Sequence, residues 1–147
     1  ILARDDVLTK ADLPEEILDF IPMHHGTLLV SYFYEKAKEE LGEDNVNETD
    51  YRYPGPKPNT KETALVMLAD ACESTVRSIQ EPDAAKLEKV INNLIRIRVD
   101  DGQLDDAPIT LSDLNKIKES FLSILAGQYH KRIRYPNQNA IESNASE

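Results

Sequence analysis

Thr60-Lys61-Glu62-Thr63-Ala64-Leu65-Val66-Met67-Leu68-Ala69-Asp70-Ala71-Cys72 decides how this chain folds. Thr60 to Thr63 starts a helix, and Ala64, Leu65, Met67, Leu68, Ala71 and Cys72 then recur at the three- and four-residue spacing of a broad apolar face that runs to about Ile79. Asp70 interrupts that face. A carboxylate among such neighbours is expensive to bury unless it is paired or metal-bound. A half-exposed position at the edge of the stripe is the alternative, and spacing alone leaves both open.

Downstream, Glu81-Pro82-Asp83 separates this helix from one running from Ala84 to about Asp100, with a core stripe of Leu87, Val90, Ile91, Leu94, Ile95 and Ile97. Asp101-Gly102 ends it. After the acidic turn Asp105-Asp106-Ala107-Pro108, Thr110 is placed to cap a last helix with Asp113 at its third position. That helix reaches about Ile133, with Leu114, Ile117, Phe121, Ile124 and Leu125 inward. The Asn- and Ser-rich residues after Pro136 are expected to be disordered, so the domain is read as 1–136 and the tail as 137–147.

Upstream, Pro54-Gly55-Pro56-Lys57-Pro58 reads as a stiff extended loop inside the aperiodic stretch from Asp44 to Asn59. Leu28, Leu29, Tyr32, Phe33 and Ala37 predict an amphipathic helix from Thr27 to Leu41, closed by Gly42. A shorter helix is expected from the Asp12-Leu13-Pro14 boundary, with Pro14 near its first position, to about Phe20, before Pro22 breaks the pattern. The sequence has neither an internal repeat nor convincing strand alternation. The fold class is all-α, a helical bundle.

At 147 residues the chain is the size of one domain. Its 17 basic and 27 acidic residues leave a net charge of -10, which excludes duplex nucleic acid and acidic membrane surfaces as partners, since both need a basic face. A small phosphate ligand remains compatible if a metal supplies positive charge. Cys72, the single cysteine, reads as a buried free thiol. The opening Ile1-Leu2-Ala3-Arg4 is an odd start for a polypeptide and suggests a piece of something longer.

The chemistry-bearing stretch is Ile21-Pro22-Met23-His24-His25-Gly26-Thr27. Neutral imidazole is the commonest protein metal ligand, and adjacent rings at a helix entrance can diverge toward a metal and an anion, or toward two metals. His24, His25 and Asp70 together are donors of the right types on elements that can pack antiparallel. Capping and packing roles for the two rings stay open at this point. Three donors are also too few for a two-metal phosphodiesterase centre, which shares more ligands between ions roughly 3.5 to 4 Å apart. His130, the remaining histidine, sits in a basic patch with Lys131, Arg132 and Arg134 and reads as a surface or packing residue.

Leu13-Pro14 to Asp19-Phe20-Ile21, His24-His25-Gly26-Thr27, Tyr32-Phe33-Tyr34, Tyr53-Pro54-Gly55-Pro56-Lys57-Pro58, Lys61-Glu62-Thr63, Leu68-Ala69-Asp70 and the run from His130 to Pro136 occur in an order and spacing that form a specific signature. In these motifs the chain resembles the second half of an HD-domain phosphohydrolase, of the seven-transmembrane HD receptor kind. The resemblance implies a cytoplasmic domain of an integral membrane protein, anchored through segments outside this chain. It also implies two divalent metal ions, manganese or iron, and hydrolysis of cyclic-di-AMP to linear pApA. By the same resemblance His24 and His25 ligate one ion and Asp70 the other, while Tyr53 and Lys57 neighbour the substrate.

The family's defining His-Asp dyad should precede Leu13, and residues 1 to 12 do not supply it. The expectation is therefore a fragment with part of the metal site, inactive alone, that exposes apolar surface and forms a homo-oligomer. Two other readings are a degenerate module that binds a nucleotide without hydrolysis and a helical interaction domain.

Overall fold

The structure, a computed structural model, describes residues 13–80 and 83–130. Its order is α1 (Glu15–Leu18), α2 (Phe20–Met23), α3 (Ser31–Leu41), two 3-10 turns (Glu43–Asn45 and Glu48–Tyr51), α4 (Lys61–Ser78), α5 (Ala84–Asp100) and α6 (Leu111–His130). Among the described residues there is no strand, only an isolated antiparallel bridge between Leu29 and Arg52. The all-α reading holds. The tail 137–147, the basic patch and the placement of His130 lie outside what the structure describes.

Three long helices carry the core. Ala64, Met67, Leu68, Cys72 and Val76 of α4 meet Leu87, Ile91 and Ile95 of α5 and Leu114 and Leu125 of α6, with Leu104 from the intervening turn. Each stripe is narrower than the apolar pattern suggested. Leu65, Ile97 and Ile124 were expected inside and stand 41%, 41% and 56% exposed, because they lie on the shoulders of helices whose buried faces are already filled by neighbours three and four residues away.

The starts of α4 and α6 are chemically fixed. Thr60 accepts a hydrogen bond from the Thr63 N–H while the Thr63 hydroxyl accepts one from the Thr60 N–H, and Thr110 and Asp113 exchange the same pair of bonds at α6.

Three features of the helix boundaries differ from expectation. Pro14 is the cap before α1 rather than its first residue. Pro22 sits inside α2, at a first-turn position where its missing N–H breaks no bond. The helix expected from Thr27 starts instead at Ser31. The backbone of residues 28 to 30 is committed elsewhere: the Val30 N–H bonds the Tyr51 carbonyl at 2.8 Å and the Tyr53 N–H bonds the Leu28 carbonyl at 3.0 Å. Leu28 and Leu29 thus share no helical face with Tyr32 and Phe33, which stand 72% and 59% exposed rather than lining a core stripe.

Candidate functional site

The paired histidines lie on a turn shaped by Gly26. Gly26 has a φ of +54°, and a Cβ there would fall 2.5 Å from the Gln103 Oε1 and 2.7 Å from the Met67 Cε, so only glycine fits. His24 ends α2, and its Nδ1 lies 2.8 Å from the Phe20 carbonyl. A carbonyl only accepts, so Nδ1 carries a proton, and in the neutral tautomer this leaves the lone pair on Nε2. The His24 and His25 rings stand 3.9 Å apart, tilted by 39°. His25 stacks on Tyr53 at 4.3 Å and 9°. Burial, and then the neighbouring His24, push the His25 pKa below its usual value against a weaker opposing pull from Asp70, which keeps that imidazole neutral near pH 7.

A polar clamp holds this turn against the end of α5. Gln103, wholly buried, donates from Nε2 to the Thr27 hydroxyl at 2.9 Å and to Asp101 at 2.8 Å, and its Oε1 accepts from the Thr27 N–H at 2.9 Å. Arg52 donates to both Asp101 oxygens, to the Thr27 carbonyl at 2.9 Å and to Glu48. Arg52 also holds the Asp101 carboxyl below the usual carboxylate range. Arg52, Asp101 and Gln103 were not among the site candidates read from the sequence.

Between the clamp and α4 lies a cleft of about 610 Å³, lined among others by His25, Tyr53, Arg52, Asp70, Arg98 and Asp101. Of the sequence-derived candidates, His25, Tyr53 and Asp70 therefore share one cleft, with Asp70 exposed. His24 touches His25 without lining the cleft. Lys57 does not line it either; its Nζ lies close to Gly102, and its charge reaches Asp101.

These donors suit a divalent metal in kind: one imidazole has its free nitrogen set by a backbone carbonyl, the second is neutral, and a carboxylate faces the same cleft. They do not close a site by themselves. Among the described residues no group of three or more His, Cys, Asp or Glu could hold a metal ion.

No family model matches the chain. It is 42% identical over 132 residues to the cyclic-di-AMP phosphodiesterase PgpH of Listeria monocytogenes and 38% identical over 131 residues to that of Bacillus subtilis. These alignments cover 90% and 89% of this chain and 18% of each relative. The crystal structure of the L. monocytogenes PgpH HD domain in complex with cyclic-di-AMP superposes with a TM-score of 0.80 at 41% identity, over 84% of this chain and 57% of that one.

The chain is a homologue of PgpH, within its HD domain.

The resemblance read from the motifs is thereby borne out, and so is the helical HD-type fold. The chain spans under a fifth of the length of the PgpH relatives and somewhat over half of the solved HD domain. No helix among the described residues is long and apolar enough to cross a membrane.

Proposed function

We propose that this chain is the C-terminal part of a PgpH-type HD domain and that the complete domain hydrolyses cyclic-di-AMP to linear pApA. The carrying observation is the 41% identity and 0.80 TM-score to an HD domain solved with cyclic-di-AMP, together with the convergence of His25, Tyr53 and Asp70 on one cleft. Two divalent ions, manganese or iron, would supply the activated water when bound. His24 and His25 are assigned to one ion and Asp70 to the other, with the remaining donors coming from outside the described residues.

The other tasks fall to this chain's own groups. Tyr53 fixes the plane of the His25 ring by stacking and offers a face to the substrate. The Arg52–Asp101–Gln103 clamp sets where the histidine turn lies relative to Asp70. Lys57, beside Asp101, is assigned an outer role near the substrate's charged groups. We assign the domain to the cytoplasmic side of an integral membrane protein, on the strength of the motif resemblance and the much greater length of the PgpH relatives. Exposed Ile17, Tyr32 and Phe33 support association with a second copy or with the rest of the domain.

The test is chromatographic detection of pApA from cyclic-di-AMP with added manganese, using this chain alone and within the complete HD domain. Product is expected from the complete domain only, and it should vanish with His25→Ala or Asp70→Ala. Turnover that survives both substitutions would remove the site assignment. Binding of cyclic-di-AMP by the complete domain with no product would instead establish a module that binds the nucleotide without cutting it.

A further inference from the structure

Arg98, near the end of α5, lines the same cleft as His25 and Asp70. Its Nε is buried and has no hydrogen-bond partner. Among the described residues the guanidinium forms no ion pair at all, although two carboxylates lie within electrostatic reach. Of these, Asp101 is occupied by Arg52 and Gln103, and Asp70 acts on Arg98 only at a distance. Desolvation is accordingly the leading influence on the Arg98 pKa and lowers it.

A half-buried cation without a counter-ion is a standing energetic cost in the free protein. The other arginine in the cleft does not share this condition. Arg52 spends its donors on Glu48, Asp101 and the Thr27 carbonyl and has none to offer a ligand. In an acidic chain, the cleft therefore holds a single uncommitted fork of N–H donors among its described residues, on the wall that also carries Asp101. A planar guanidinium fork matches two oxygens of a phosphate group.

We propose that Arg98 is a substrate-binding residue that takes a phosphodiester oxygen of the cyclic dinucleotide in this cleft. The inference deepens the phosphodiesterase reading and rests on it for the identity of the substrate, while the anion-binding chemistry stands on Arg98 itself. Binding of the anion at the terminal N–H groups would supply the missing counter-charge, so Arg98 contributes to affinity and not to the chemical step.

The experiment compares wild type, Arg98→Met and Arg98→Lys in the complete domain, with saturating manganese. It measures KM and kcat for cyclic-di-AMP, affinity for inorganic phosphate by titration, affinity for manganese, and thermal midpoint. Arg98→Met should raise KM and weaken phosphate binding by about tenfold or more, the loss expected when one charge-assisted hydrogen bond goes. Its manganese affinity should be unchanged and its thermal midpoint equal or higher, because an unpaired buried charge has been removed. Arg98→Lys should fall between, keeping the charge without the fork.

Unchanged KM and phosphate affinity in Arg98→Met, with normal turnover, would overturn the inference and leave the phosphodiesterase reading intact. A parallel loss of manganese affinity would also overturn it, since Arg98 would then act through Asp70. Arg98-dependent phosphate binding by a wild type that never cuts cyclic-di-AMP would uphold the inference and remove the reading.

Discussion

The guanidinium of Arg52 grips the carboxylate of Asp101 through two hydrogen bonds of 3.1 Å and 3.0 Å, fastening the segment that follows the second 3-10 turn to the end of α5. Both side chains are 27% exposed, so the pair is shielded well beyond an ordinary surface contact. Arg52→Lys keeps the charge and loses the fork, and should lower the unfolding free energy by about 1 kcal/mol. Asp101→Ala leaves Arg52 and Gln103 short of an acceptor and should cost about 2 kcal/mol. Urea midpoints with unchanged slopes would check both values.

Gly26→Ala should be more damaging than either. The substitution meets two side-chain atoms inside contact distance and also requires a left-handed residue; a loss of roughly 2 to 4 kcal/mol is expected. The same urea titration reads it, and Gly42→Ala is the control: it shares the positive φ, but the nearest atom to its Cβ would be 3.5 Å away.

Acid should destabilise the fold through identifiable carboxylates. Lys61, with the Thr110 N–H next in weight, holds Asp113 at about 2, against an ordinary 3.8, and Arg52 lowers Asp101. A depressed carboxyl pKa means that the unfolded chain takes up the proton first. Its stabilising contribution is thus complete above the ordinary value and disappears as pH falls toward the depressed one. Wild type should therefore lose more stability than Asp113→Asn between pH of about 4 and about 2, measured by urea unfolding at each pH.

Cys72 offers a check on the packing of α4 against α5. Burial pushes its thiol up to about 11, and only the thiolate reacts with disulfide reagents. Native protein at a pH of about 8 should resist labelling, and unfolding in urea should release one reactive thiol per chain. Fast labelling of the native state would mean that the helix interface opens.

Much of the fold was legible because it is written locally. The apolar spacing of Met67, Leu68 and Cys72, or of Leu87, Ile91 and Ile95, announces a helix within a few turns, and the Thr110–Asp113 cap lies within four residues. His24, His25 and Asp70 were singled out by chemical type and motif order, and the structure brings His25 and Asp70 to one cleft. Arg52, Asp101 and Gln103 were not among those candidates. The Arg52–Asp101 pair joins residues 49 apart and the Thr27–Gln103 bonds join residues 76 apart, and an arginine in a loop or a glutamine in a turn carries no periodic mark of such a partner. Leu28 and Leu29 misled for a related reason: their helical spacing from Tyr32 and Phe33 continued across a segment whose backbone pairs with residues 51 to 53.

Among the described residues the amide of Thr27 bonds to no backbone carbonyl, only to the side chain of Gln103. Solvent can exchange that hydrogen when the histidine turn lifts from the α5–α6 corner, without any helix unwinding. Its exchange rate consequently serves as a clock for local opening, running faster than the amides at the centres of α4 and α5. Occupation of the cleft by a ligand that draws the turn inward would slow the clock, so a single resonance reports how tightly the two halves of the site are held together.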